Sequence, residues 1–398
     1  MSIRDNYSHT LRASYIAYIT QAIAVNFSPL LFVTFSRDYG LSLANISSLI
    51  LFTFVVQLIV DILSAKFIPI IGYRVCAVTS HFIAALGFIL LGVLPDICGS
   101  PFVGIMIATF FYSLGSGMIE VMVSPIVEAC PTPNKESAMA FLHSFYSWGT
   151  ALVIIVTTIF FKVFGIENWH IMAYIWALIP ICNGIAYMYV PISTIEEEES
   201  KSGIKNLFSQ KVIYVIILLM IAAGAAELAV SQWASTFAER GLNVSKAVGD
   251  IAGPCLFAVM MGTGRVIYSA LAKRINTLLY MAASAAVCII SYLVTALCNN
   301  PIFALVGCGF VGLSVGVFWP GTFSFAAKRY PSGGSAMFGI LAFSGDLGCT
   351  LGPSLVGFVS GAFSDNIKIG LLFGVISPII LLVASLAVKL CGNKKLTD

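Results

Sequence analysis

Apolar runs long enough to cross a bilayer recur twelve times along this chain, with only short polar stretches between them. A spanning helix needs about 20 predominantly apolar residues, and the punctuation between runs places six spans at approximately residues 11–35, 44–67, 75–94, 102–127, 138–163 and 171–190. Six more follow at approximately 212–237, 247–271, 277–297, 302–327, 335–361 and 369–390. Between the sets lies the longest polar stretch, with the acidic run Glu196 to Glu199 and then Lys201, Lys205 and Lys211, which reads as a solvated linker. The expected organisation is therefore an all-α integral membrane fold: a six-helix half over residues 1–192, a linker over 193–211 and a second six-helix half over 212–398.

Composition excludes the alternatives. A chain of 398 residues that is 59% hydrophobic and 10% charged is not a soluble domain, in which about a quarter of residues carry charge. Its net charge of +3 gives no basis for a nucleic-acid partner. Ten cysteines are scattered, mostly inside apolar runs and without CxxC or metal-ligand spacing, so they read as small packing residues. No short apolar stretch with a small-residue cleavage site precedes the first span, so that span is expected to be its own insertion signal.

The basic residues alternate. Arg4, Arg12, Lys66, Arg74, Lys135, the linker lysines, Lys273, Arg274, Lys328, Arg329, Lys389, Lys394 and Lys395 gather on one set of loops, against Arg37, Lys162, Arg240, Lys246 and Lys368 on the other. The positive-inside rule then places both termini and the linker in the cytoplasm of a plasma or inner membrane, with an even number of spans. A short internal repeat supports the division: Ser137-Ala-Met139 opens the fifth span and Ser335-Ala-Met337 the eleventh, with Phe145 and Phe343 in the same register.

An ionisable side chain at membrane depth costs a few kcal/mol, so each one needs a partner, a wet cavity or a function. Glu120 stands in the fourth span, about two turns from its cytoplasmic end, Glu227 in the outer half of the seventh, Asp346 near the middle of the eleventh and Arg265 in the inner part of the eighth. A carboxyl can be neutral while a carrier crosses and ionised when open to one side, so Glu120 and Glu227 are candidates for proton coupling. The competing expectation for Glu120 is a fixed ion pair with Arg265 or a hydrogen bond with His143. Gln21, Asn26, Gln57, Glu120, His143, Tyr146, Trp148, Glu227, Gln232, Trp233, Trp319 and Asp346 are candidate substrate-binding residues. Amides and carboxylates hold hydroxyl-rich solutes, and an aromatic face packs on the C–H side of a sugar ring. The same residue types also bridge helices in membranes. Asp61 is expected to pair with Lys66 or Arg74 near the headgroups in a gating or structural role, and Gly352 and Pro353 to permit close packing and bending.

Several segments carry a family resemblance. They are Asp61-Ile-Leu-Ser-Ala-Lys66 through Gly72-Tyr73-Arg74, Gly117-Met-Ile-Glu120, Leu142-His143-Ser-Phe-Tyr146 with Gly149, Glu227 with Trp233, Gly264-Arg265, and Gly345-Asp346-Leu-Gly348 with Gly352-Pro353. Over its whole length the chain resembles the major facilitator superfamily, and more narrowly its fucose, galactose and glucose proton-symporter group. It departs from the pattern at Ala65, which occupies the position of the signature aspartate, and in the first span, which offers Asn26 and Pro29 but no acid. The resemblance implies alternating access and a role for Glu120 in proton coupling and sugar binding. The expected function is proton-coupled symport of a small polar solute such as a monosaccharide, by a monomer driven by the proton gradient and using no cofactor. An exporter of an amphipathic compound and a transporter-like sensor are the alternatives. An enzyme is not expected, since HExxH, GxSxG and Walker-type patterns are absent.

Overall fold

A computed structural model describes residues 4, 6–132, 135–193, 208, 210–271, 274–330 and 334–394. Most of the expected linker therefore lies outside the described residues. Twelve helices among them have the length and apolar composition to cross a membrane. The first six are Tyr7–Tyr39, Leu43–Ser64, Tyr73–Leu91, Pro101–Ala129, Phe145–Phe164 and Ile166–Tyr189. The second six are Lys211–Gly241, Lys246–Leu271, Thr277–Leu297, Pro301–Arg329, Gly339–Ala362 and Ile367–Lys389. Two compact units result, residues 1–197 and 198–398. The chain is an integral multi-pass membrane protein built from two pseudo-symmetric six-helix halves.

Local chemistry sets the ends. The first span begins earlier than its apolar run because Asn6 caps it, its side chain accepting the Ser8 N–H at 2.9 Å. It stops at Gly40, whose φ of 67° is the left-handed conformation that glycine tolerates. Ser42 and Asn45 then form a reciprocal capping box that starts the second span. Ser137 lies in the first turn of a helix running Lys135–Phe164, and Ser335 in the first turn of one running Gly334–Ala362, so the short repeat marks two corresponding helix starts.

The core of the N-terminal unit joins Ala13, Ala17 and Tyr18 to Ile119, Met122, Leu142 and Tyr187. A polar knot lies beside it. His81 Nδ1 donates to the Ala77 carbonyl at 2.7 Å, which leaves Nε2 to accept from Asn183 Nδ2 at 2.9 Å. Asn183 also donates to the Ala13 carbonyl at 2.9 Å, so the first, third and sixth spans are tied through one amide. In the C-terminal unit the seventh and eleventh spans meet almost backbone to backbone. A Cβ on Gly348 would overlap the Ile221 carbonyl, and one on Gly352 the Ala225 carbonyl.

Two interruptions fall at corresponding places. The first span breaks after Asn26 into the short helix Ser28–Leu31, which carries Pro29, before resuming at Phe32–Tyr39. The seventh breaks after Ser231 at Gln232 and Trp233, then continues as Ala234–Thr236 and the wide turn Phe237–Gly241. Irregular backbone at membrane depth is tolerated where it is buried in protein or lines a cavity.

Candidate functional site

Within the N-terminal unit, polar side chains from four spans converge around Glu120. Its side chain is half-buried, the Gln21 amide from the first span reaches its carboxyl, and Asp61 of the second span lies within electrostatic range. Tyr18, one turn before Gln21, meets the Ser124 hydroxyl at 3.1 Å and faces the same carboxyl. Tyr146 of the fifth span stands edge-on to the Tyr18 ring, with centroids 6.5 Å apart. Gln57 Nε2 donates to Ser116 Oγ at 2.7 Å, one turn before Glu120. Gly117 makes this contact feasible, since a Cβ there would stand 3.2 Å from the Gln57 Cα. At the break of the first span Asn26 donates to the Ala22 carbonyl at 2.9 Å and to Thr150 Oγ1 at 3.2 Å.

In the C-terminal unit, Arg265 Nη2 stands 3.6 Å from Glu227 Oε1. Glu227 is 7% exposed, and its Oε2 has no hydrogen bond among the described residues. Gln232 is buried at the break of the seventh span. The half-buried Trp319 ring lies against Gly345, next in sequence to the half-buried Asp346.

This arrangement gathers amide, phenol and hydroxyl groups around one carboxyl inside the N-terminal unit, groups able to exchange hydrogen bonds with a polar solute. The model of the Major Facilitator Superfamily matches residues 14–353. The chain belongs to that superfamily. Its members are transporters, and solved structures agree in fold. A variant of the nucleoside transporter NupG superposes with a TM-score of 0.76 at 12% identity, covering 95% of this chain and 99% of that one. A variant of the E. coli fucose:proton symporter FucP gives 0.63 at 15% identity, covering 94% and 97%. A bacterial homologue of the human lysosomal transporter Spinster gives 0.73 at 13%, covering 97% of each chain. No curated protein sequence matches. These three likenesses establish the superfamily fold and leave the solute open.

Several expectations are corrected. The charged partner that the structure shows for Arg265 is Glu227, on the neighbouring seventh span. Arg74 Nη1 donates to the carbonyls of Tyr187 and Met188 at 2.9 and 3.2 Å, tying the third span to the sixth. Trp148 is 62% exposed and falls on the helix face shared with exposed Leu152, Ile155, Ile159 and Val163, away from Tyr146 and Thr150. That apolar stripe suits the bilayer rather than a solute. Trp233 is fully buried, and its indole N–H donates to the Pro353 carbonyl at 2.8 Å, so it joins the seventh span to the eleventh. The side chains of His143 and Lys66 lie outside the described residues.

Sequence reasoning passed over one cluster. Lys246 Nζ sits 3.2 Å from Glu239 Oε1 and 3.1 Å from Asp250 Oδ2, while the Ser235 hydroxyl donates to the fully buried Asp250. The four-residue spacing of Lys246 and Asp250 was the available signal. It closes the hairpin between the seventh and eighth spans. Tyr18, Ser116 and Thr150 were also passed over, because hydroxyl groups inside apolar runs carry no mark of which ones meet a carboxyl or an amide.

Proposed function

We propose that this protein is a proton-coupled symporter that imports a small polar solute, in the first instance a monosaccharide, by alternating access. The observation that carries the reading is Glu120: a half-buried carboxyl held by the Gln21 amide among the tyrosines and amides of the first, second and fifth spans. Neutral, it is compatible with an occluded carrier; ionised, it releases its proton to one side. Solute hydroxyls bonded by the same groups then link occupancy to protonation. On this reading, the excess of basic residues on one set of loops supports cytoplasmic termini in a plasma or inner membrane, and two fused halves support a monomer as the working unit.

The test is uptake of labelled monosaccharides and nucleosides into proteoliposomes, with and without an inward proton gradient. Nucleosides belong on the panel because their ribose offers similar hydroxyls and because the NupG structure superposes well. Glu120→Gln is expected to abolish gradient-driven accumulation while solute counterflow persists. Unchanged accumulation in that variant would reject Glu120 as the coupling residue, and no uptake of any panel member would reject the solute class.

A further inference from the structure

On the loops opposite the basic set, three segments of the N-terminal unit meet at one imidazole. His170, in the first turn of the sixth-span helix Trp169–Tyr189, places Nε2 3.0 Å from Asp96 Oδ2 and 3.5 Å from the Tyr39 hydroxyl. Tyr39 ends the first span and donates to Asp96 Oδ1 at 2.7 Å, and Asp96 belongs to the short helix Leu94–Ile97 between the third and fourth spans. The His170 ring also stacks on that of the fully buried Trp169, with centroids 3.7 Å apart, and Phe35 meets the Trp169 ring edge-on at 5.5 Å. What this cluster fastens is a separate piece of helix. The first span is interrupted at Ser28–Leu31, so Phe32–Tyr39 is an outer segment of its own, and Tyr39 is its tip.

We propose that Tyr39, Asp96 and His170 form a pH-sensitive clasp, which fastens the outer segment of the first span to the sixth span when His170 carries a proton and slackens when it is neutral. Its placement on the outer face rests on the orientation in the symport reading; its chemistry does not. Histidine is the side chain whose charge changes between about pH 5 and 8. Neutral, it offers the Asp96 carboxylate one ordinary hydrogen bond. Protonated, it is a cation that bonds that carboxylate more strongly and lies on the electron-rich face of an indole. Acid on that side therefore tightens the clasp and alkali loosens it. The neighbouring groups are engaged elsewhere or turned to solvent. Arg37 and Asp38 close on each other at 2.6 Å, Glu167 folds back on Gly165, and Lys162 is exposed at the end of the fifth span. Tyr174, one turn after His170, donates to the Gly92 carbonyl at 2.8 Å, and the half-buried Cys98 follows the short helix.

Hydrogen–deuterium exchange of the purified full chain, read on peptides spanning residues 32–42 and divided by the intrinsic chemical rate at each pH, reports opening of this segment. The wild type is expected to exchange about two- to fivefold more slowly at about pH 5.5 than at about pH 8, the size set by a pair in which the Asp96 side chain keeps 53% exposure. In His170→Gln, which can still donate a hydrogen bond but carries no charge, the two rates are expected to coincide. Asp96→Asn is expected to do the same, and decides the matter should the glutamine variant fail to assemble. Equal rates in the wild type overturn the proposal, as does a pH ratio that survives in either assembled variant. A ratio of the same size in peptides throughout the chain overturns it too. The measurement needs neither solute nor gradient, so accumulation surviving in Glu120→Gln rejects symport through Glu120 and leaves the clasp standing, whereas loss of the pH ratio rejects the clasp and leaves Glu120 untouched.

Discussion

Arg265 Nη2 stands 3.6 Å from Glu227 Oε1, joining the eighth span to the seventh inside the C-terminal half. At this separation the attraction holds the helices together but leaves Glu227 Oε2 without a hydrogen bond among the described residues. Deleting one member strands the other charge in a poorly solvated place, which costs about 3–5 kcal/mol for a fully buried pair. The guanidinium side chain retains 30% exposure, so Arg265→Met is expected to cost about 2–3 kcal/mol. Glu227→Gln/Arg265→Met together are expected to recover at least half of that loss. Thermal unfolding of the four proteins in one detergent checks the cycle; an additive double variant would contradict the pairing.

Lys246 lies between Glu239 and the fully buried Asp250. Lys246→Met leaves two carboxylates facing each other and is expected to lower stability by about 2–4 kcal/mol. Adding Asp250→Asn removes the repulsion and is expected to restore much of it. Protease sensitivity of the hairpin between the seventh and eighth spans reports the same change locally.

A Cβ on Gly348 would overlap the Ile221 carbonyl, whereas one on Gly262 would meet nothing within 4 Å. Gly348→Ala must push the seventh and eleventh spans apart and is expected to cost about 1–3 kcal/mol, or to prevent assembly. Gly262→Ala is expected to be tolerated or mildly stabilising, because alanine favours helix. Comparing the yield of monodisperse protein for the two substitutions separates contact from composition.

Trp233 has no exposed surface, and its N–H bonds the Pro353 carbonyl. Trp233→Phe loses that bond and some volume, with an expected cost of about 1–3 kcal/mol. Half-saturation in solute counterflow is expected to stay within about twofold of wild type. A much larger change would return Trp233 to the solute site.

How much of this was legible beforehand differs by level. The apolar runs alone specify twelve spans, because in a bilayer every backbone polar group must be satisfied within its own helix and only the run length is free to vary. Ser137 and Ser335 likewise announce matching helix starts, since a repeat is a local pattern. The sequence also isolates Glu120, Glu227 and Asp346 as the carboxyls that need explaining, since charge at membrane depth is costly whatever its surroundings. It cannot say which partner each one meets. That Arg265 answers Glu227, that Arg74 is taken by the Tyr187 and Met188 carbonyls, that Trp233 is a helix tie and that Trp148 lies on an exposed apolar stripe were all decided by packing. Helix composition fixes that a residue is in the membrane; only the rotation and register of neighbouring helices fix which face it presents, and a single aromatic or polar residue carries no signal of that rotation.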